Sequence, residues 1–444
     1  MIRTRKIPFI QSCATWPVTG LTLLIMAIGI SIPFTGFGQS IGLEPLPLSY
    51  FPWLVGILAA FCILTQCIKN WYIRKFVRWL RFFHYLCRKN KTKMKITIIP
   101  RRLHFKQPAG TSRGIYTTRQ VWYVLATDEK TGRYGVGECA PLPQLSCDDL
   151  PDYEKILSDF CLKTAQNGQL DYEALRPYPS MLFGLETALR HLQKGTLQLW
   201  DTTFAQGKQG IPINGLIWMG SFDEMYQRIQ EKMKAGFRCI KVKIGAIDFD
   251  KELELLRFIR QHFSPEEIEL RVDANGAFTP EIAPQRLEQL SQFHLHSIEQ
   301  PIRAGQWKEM AKLCASTPLP IALDEELIGI NTTEEKIDLL ETIRPQYIIL
   351  KPSLHGGLHG SEEWIRLAAK RKIPAWVTSA LESNIGLNAI AQWCATLNPQ
   401  MPQGLGTGLL FTDNIYFPLH IKNDCLWFHP EEQEPDIQNW LNVR

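Results

Sequence analysis

From residue 211 onward the chain alternates between short apolar runs and longer stretches in which apolar residues recur every three or four positions. IPINGLI (211–217) opens the series, and further apolar runs begin near 240, 269, 296, 320, 347 and 374. Between them, FDEMYQRIQEKMKAGF (222–237) and DKELELLRFIRQHF (250–263) carry the helical period. Strand, crossover helix and strand in repetition predict an α/β architecture with a parallel sheet. QGLGTG (403–408) supplies a last glycine-rich turn, and seven or eight strands favour a closed β/α barrel over an open doubly wound sheet. Upstream the texture differs. ITIIPRRLHF (96–105), VWYVLATDE (121–129) and YGVGECAPL (134–142) read as antiparallel strands, followed by helical patterns at 149–167 and 180–194. The expected division is an α+β domain over 96–205, a β/α barrel over 206–410, and a segment 411–444 that returns to the first domain.

The front of the chain has a third pattern. Residues 17–36 and 50–68 are uncharged and each long enough to cross a bilayer. Arg3, Arg5 and Lys6 precede the first, and Lys69, Arg74, Lys75, Arg78 and Arg81 come after the second, so both flanks are expected on the cytoplasmic side of a two-helix transmembrane hairpin. Tyr50, Trp53, Trp71 and Tyr72 fall where interfacial aromatics belong. The basic, aromatic stretch 70–95 suits a membrane-surface helix, with 81–95 as a basic linker to the soluble part. Over residues 1–80, RTRKIPFIQS, MAIGISIPFTG and GLEPLPLSYFPWLVGILAAFCILTQCIKNWYIRKF resemble the C-terminal end of magnesium-transporting P-type ATPases. DEKTGRYG (128–135) lacks the Asp-Lys-Thr order of a phosphorylation motif and reads as a polar hairpin turn. Transport is therefore not expected, and the segment would at most anchor the soluble part to a membrane.

Composition narrows the classes further. A net charge of +5 in 444 residues, with much of the excess between 69 and 95, argues against a nucleic-acid surface. Eleven dispersed cysteines without a CxxC pair suggest a reducing compartment, hence a cytoplasmic catalytic part, membrane-anchored where the hairpin is retained. No GxGxxG or GxxxxGK[ST] sequence occurs. Oligomeric state is not legible.

Five charged residues end successive apolar runs: Lys243, Asp273, Glu299, Asp324 and Lys351, at steps of 30, 26, 25 and 27 residues. A charge ending a buried parallel strand is costly unless that end opens onto a functional face, and in a β/α barrel the C-terminal strand ends form it. Strand alternation puts Lys241 beside Lys243, groups Arg271 and Asn275 with Asp273, and pairs Ser297 with Glu299. His294 and His296 point the other way, toward the helices or the rim. Three converging carboxylates suit a hard cation such as Mg²⁺ better than Zn²⁺. A lysine beside another lysine and a cation could be neutral enough to act as a base.

KVK (241–243), VDAN (272–275), IEQP (298–301), ALDE (322–325) and LKPSLHGG (350–357) resemble, in order and spacing, the enolase superfamily in its muconate-lactonising subgroup, and the o-succinylbenzoate synthase family most of all. The resemblance covers roughly residues 96–425 and implies a capping domain followed by a modified barrel. It implies that Asp273, Glu299 and Asp324 bind Mg²⁺, with Mn²⁺ able to substitute. Lys243 would be the acid/base catalyst, Lys241 would tune it, and Lys351 would stabilise an enediolate from the opposite side. Lys241, Arg271, Asn275 and Ser379 would contact a small-molecule carboxylate substrate. GVGECAPLP (135–143) and PSMLFGLETAL (179–189) would close over it as a mobile cap. The implied reaction is a syn dehydration in menaquinone biosynthesis. N-succinylamino acid racemisation and dipeptide epimerisation remain alternatives, although SALESNIG (379–386) lacks the DxD of dipeptide epimerases. A magnesium-transporter fragment with an inert soluble domain is the alternative from another class.

Overall fold

The computed structural model describes residues 31–42, single positions between 47 and 64, and 94–442 apart from 112 and 113. The chain divides into two units, Met1–Lys91 and Thr92–Arg444. In the first, Ile32–Phe34 form a 3₁₀ turn and Gly36–Ser40 a short helix. The transmembrane hairpin expected over 17–36 and 50–68, and the surface helix over 70–95, lie largely outside the described residues. Among the described residues no helix is long and apolar enough to cross a membrane.

The second unit opens with an antiparallel sheet in the order β1-β2-β3: β1 (Met94–Thr111), β2 (Gly114–Asp128) and β3 (Tyr134–Cys139). The Asp128–Tyr134 connection is the polar hairpin turn expected there, closed by Asp128 N donating to Arg133 O at 2.9 Å with Gly132 at φ 72°. The helix Pro179–Lys194 lies across β3. A Cβ on Gly137 would stand 1.9 Å from Gly184 O, and one on Gly135 2.1 Å from Leu192 N. The glycines of GVGEC therefore let helix and strand touch; they do not mark the mobile lid that glycine content suggests. Residues 179–189 likewise form a buried helix instead of a lid.

The same contact holds His191. Its Nδ1 accepts from Val136 N at 3.1 Å, which requires an unprotonated ring nitrogen, and burial pushes its pKa down to about 4. An unfolded histidine takes up its proton near pH 6.5. Stability due to the neutral ring is thus complete above that pH and lost as pH falls toward 4. Urea unfolding of His191→Gln should show a shallower loss between pH 6.5 and 4.5 than the natural chain, by on the order of 2–3 kcal/mol. Equal pH slopes would contradict this.

Beyond a short strand β4 (Ile211–Pro212), the barrel strands are β5 (Gly215–Ile217), β6 (Cys239–Lys243), β7 (Glu269–Asp273), β8 (Ser297–Glu299), β9 (Ile321–Leu323), β10 (Tyr347–Leu350) and β11 (Ala375–Val377). They pair in sequence order, each parallel to the next. Parallel strands covered by crossover helices are buried on both faces, which is why these runs read as continuously apolar. Gln403 bridges Ile213 and Gly404 bridges Thr378, both in parallel, so one short eighth segment joins the sheet's two edges. The hairpin β12 (Leu419–Lys422) and β13 (Cys425–Phe428) pairs with β4. The chain's C-terminal part also touches the first sheet: Phe105 bridges Phe411, and Arg101 donates to Trp440 O.

Candidate active site

The register aligns Lys243 with Asp273 and Asp273 with Glu299, bringing these charges level at one end of the sheet. Beside them is a cavity of about 410 Å³, lined by Lys241, Lys243, Asp273, Asn275, Lys351 and Ser379 among others. Leu142 and Leu145, which follow β3, and residues 105–109 of β1 complete the wall. Of GVGECAPLP, then, only the end reaches the cavity.

Inside, lysines and carboxylates interleave. Lys243 Nζ donates to Asn275 Oδ1 at 2.6 Å and Asp273 Oδ2 at 3.0 Å, and lies 5.9 Å from the Trp218 ring centre. Lys241 Nζ donates to Glu299 Oε2 at 2.8 Å and reaches Asp273 Oδ2 at 3.4 Å. Lys351 Nζ donates to Asp324 Oδ2. Burial would push Asp273 up, but Lys243, Lys241 and Lys351 hold it below the usual carboxylate range. Glu299 is raised by burial and by Asp273 and Asp324 beside it, and Asp324 by burial and Glu325. Burial pulls Lys241 and Lys351 down, yet the facing carboxylates more than restore them and leave both above the ordinary lysine value. The lysine pairing expected to neutralise one partner therefore does not neutralise Lys241, because two carboxylates stand within its reach.

Ser379 lines the wall with its hydroxyl 2.5 Å from Thr407 Oγ1. Ser383 caps the helix Asn384–Thr396, so lining and capping fall to different serines of SALESNIG. Arg271 is placed elsewhere, and the substrate contact expected of it is corrected. Its guanidinium turns toward the other strand end, onto Glu269 Oε1 at 2.7 Å, Pro402 O at 2.9 Å and the Trp376 ring. Strand parity fixed its face but not the direction its long side chain takes. His296 packs against Tyr347 and Trp376, away from the carboxylates.

Three neighbours went unassigned in the sequence. Glu325, beside Asp324, accepts from Asn275 Nδ2 at 2.9 Å and thereby turns the amide oxygen toward Lys243. Gln300 accepts from Asp324 N and donates to Glu326. His355 Nδ1 accepts from Lys351 N at 3.0 Å. Their only sequence signals were adjacency, in DEE, EQP and LKPSLHGG.

The donor set suits a hard divalent cation. Glu299 Oε1, Asp324 Oδ1 and Glu325 Oε2 are buried oxygens without a hydrogen-bond partner, an arrangement that is expensive until a cation or proton is shared among them. Among the described residues the carboxylates are not gathered around one point, each being turned onto a lysine or an amide. A cation there would take over contacts that the lysines now make.

A family model described as enolase C-terminal domain-like matches residues 224–427. The o-succinylbenzoate synthase of Desulfotalea psychrophila is 49% identical over 351 residues, 70% of this chain and 93% of that protein. The crystal structure of MenC from the same organism is 43% identical with a TM-score of 0.65, covering 76% of this chain and 99% of that one. The o-succinylbenzoate synthase of Thermosynechococcus elongatus, solved with magnesium in its active site, shares the fold at 24% identity and TM-score 0.58, over 70% of this chain and 92% of that one. A separate stretch of 79 residues, 18% of the chain, is 61% identical to the P-type 1 magnesium-transporting ATPase of Salmonella typhimurium. It spans only 9% of that ATPase's length. An identity of 49% across 93% of that synthase shows that the chain belongs to the o-succinylbenzoate synthase family of the enolase superfamily.

Proposed function

We propose that the chain dehydrates 2-succinyl-6-hydroxy-2,4-cyclohexadiene-1-carboxylate to 2-succinylbenzoate, a Mg²⁺-dependent step of menaquinone biosynthesis. One observation carries the reading: Lys243 and Lys351 flank three carboxylates, two of them with unpaired buried oxygens, at one end of a parallel sheet. Asp273, Glu299 and Asp324 would hold Mg²⁺, or Mn²⁺ in its place. When bound, the ion supplies positive charge beside the substrate carboxylate, where proton loss builds negative charge.

Lys243 does the proton work. A neutral amine has two hydrogens and one lone pair. As a base, Lys243 would give those two hydrogens to Asp273 and Asn275 and keep the lone pair for the cavity. Lys243 Nζ takes the proton next to the carboxylate and returns it to the hydroxyl leaving from the same face, so water departs as the C–O bond breaks and the ring becomes aromatic. One group suffices because the elimination is syn. Lys351, held charged by Asp324, adds a fixed positive charge across the site. Racemisation of N-succinylamino acids would use the same two lysines as a pair of opposed bases, and the presence of both in one site keeps it as the second reading.

The unit Thr92–Arg444 would be the catalytic part, and residues 17–36 and 50–68 a hairpin that anchors it to a membrane from the cytoplasmic side. The test is an assay of the full chain in detergent after EDTA treatment. Turnover of the cyclohexadiene substrate is expected to fall to background and return with Mg²⁺. Turnover of N-succinylamino acids alone would replace dehydration with racemisation. Recovery of the full chain in the soluble fraction before detergent is added would remove the anchor.

A further inference from the structure

Two carboxylates of the N-terminal sheet domain end against the starts of barrel helices, and neither takes part in the proposed proton transfer or cation site. Glu138, fully buried on β3, accepts from Ser383 N at 2.9 Å, Ser383 Oγ at 2.5 Å and Gly386 N at 2.9 Å, where the helix Asn384–Thr396 begins. Glu186, on the helix Pro179–Lys194, accepts from Leu358 N at 2.7 Å and His359 N at 3.1 Å, at the start of the helix Gly357–Ala369. The first N–H groups of a helix lack partners within it and carry its positive end, so each meets a carboxylate on favourable terms.

The barrel makes room for both. A Cβ on Gly386 would come within 2.9 Å of Glu138 Oε2, and one on Gly357 within 2.4 Å of Glu186 Oε2. Each glutamate from the first domain thus has a matching glycine in the barrel. Those glycines are the last residues of SALESNIG and LKPSLHGG, and the glutamates sit in GVGEC and PSMLFGLETAL.

The turn before each helix gives the pairing its meaning. Helix Gly357–Ala369 comes after the turn that leaves Lys351, itself closed by Lys351 N on His355 Nδ1 and by Gly357 N on Pro352 O. Helix Asn384–Thr396 comes after Ser379–Leu381, which line the cavity. Glu382 ties the two turns together, accepting from Ser353 Oγ at 2.5 Å and Ala380 N at 2.6 Å.

We propose that Glu186 and Glu138 are positioning residues, which hold from the first domain the turn carrying Lys351 and the turn carrying Ser379–Leu381, respectively. Its kinetic consequences rest on the dehydration reading; the placement of the turns does not. A glutamine at either site keeps the shape but sets an NH₂ group against N–H donors. In the full chain, Glu186→Gln should lower kcat about tenfold with KM within about twofold, because Lys351 acts on the reacting charge. Glu138→Gln should raise KM about tenfold with a smaller change in kcat, because its turn forms the substrate wall. Native-state hydrogen exchange should quicken at 351–359 in the first variant and at 379–387 in the second. Glu363→Gln, which loosens a different contact between the domains, that with Arg176, along with the bond to Lys336 inside the barrel, is the control and should lower stability while leaving kcat and KM unchanged. If Glu138→Gln does not fold, Ser383→Ala removes one of its three donor groups and should give a smaller rise in KM.

The proposal is overturned if the folded variants keep both kinetic constants, or if exchange quickens evenly along the chain. A natural chain that never dehydrates the substrate would remove the reaction, and the exchange pattern would still decide the role of the two glutamates.

Discussion

Lys243→Ala is expected to lower kcat for dehydration by about 10⁴-fold, the upper range for loss of a general acid–base group. The size comes from economy of roles: in the proposed reaction the same Nζ would remove the proton and deliver it to the departing hydroxyl, with no second residue to cover either step. Folding should suffer little. Lys241 remains within 3.4 Å of Asp273 Oδ2, and Asn275 stays held by Glu325 and by its own backbone N–H on Asp273 Oδ1 at 3.1 Å. The stabilising shift in Tm on adding Mg²⁺ should persist, since the three carboxylates are untouched. Single-turnover rates with the folded variant check this. A loss under about tenfold would mean that another group moves the proton.

How much of this was legible in the sequence depended on whether the signal ran along one strand or across space. The five charges were readable because β/α units have similar lengths, so equal spacing meant equivalent strand ends. Parity then placed Lys241 beside Lys243 correctly. It misled for Arg271, whose side chain extends down the sheet onto Trp376 and Pro402 O, because parity says which face a residue takes and nothing about depth. Glycine content suggested mobility in GVGEC, whereas Gly137 permits contact with Gly184 O. Glycine marks both flexible turns and close approaches, and only the partner across space tells them apart. Glu138 and Glu186 could not be assigned at all, since their partners lie 245 and 172 residues away.

Glu299→Gln should separate stability from function with opposite signs. Glu299 Oε2 has Lys241, but Oε1 is buried without a partner, and Asp273 and Asp324 crowd the same carboxylate. Asp324, whose own Oδ1 is unpaired, lies within hydrogen-bonding reach of it. A glutamine can keep an oxygen on Lys241 and donate its NH₂ to Asp324, converting a repulsion into a hydrogen bond. Without added metal the variant should therefore unfold at the same Tm as the natural chain or a higher one. A hard cation needs what glutamine lacks, an anionic oxygen at the centre of the set. The rise in Tm on adding Mg²⁺ should be lost, and metal affinity should fall by more than about 100-fold, beyond what changes outside the ligand set cause. Activity should fall with it at any practical Mg²⁺ concentration. A variant that is less stable without metal yet still stabilised by Mg²⁺ would mean that Glu299 serves Lys241 as a structural partner and the ion sits elsewhere. Burying Glu299 and Asp324 side by side is costly, and removing one of the two charges should expose that cost directly.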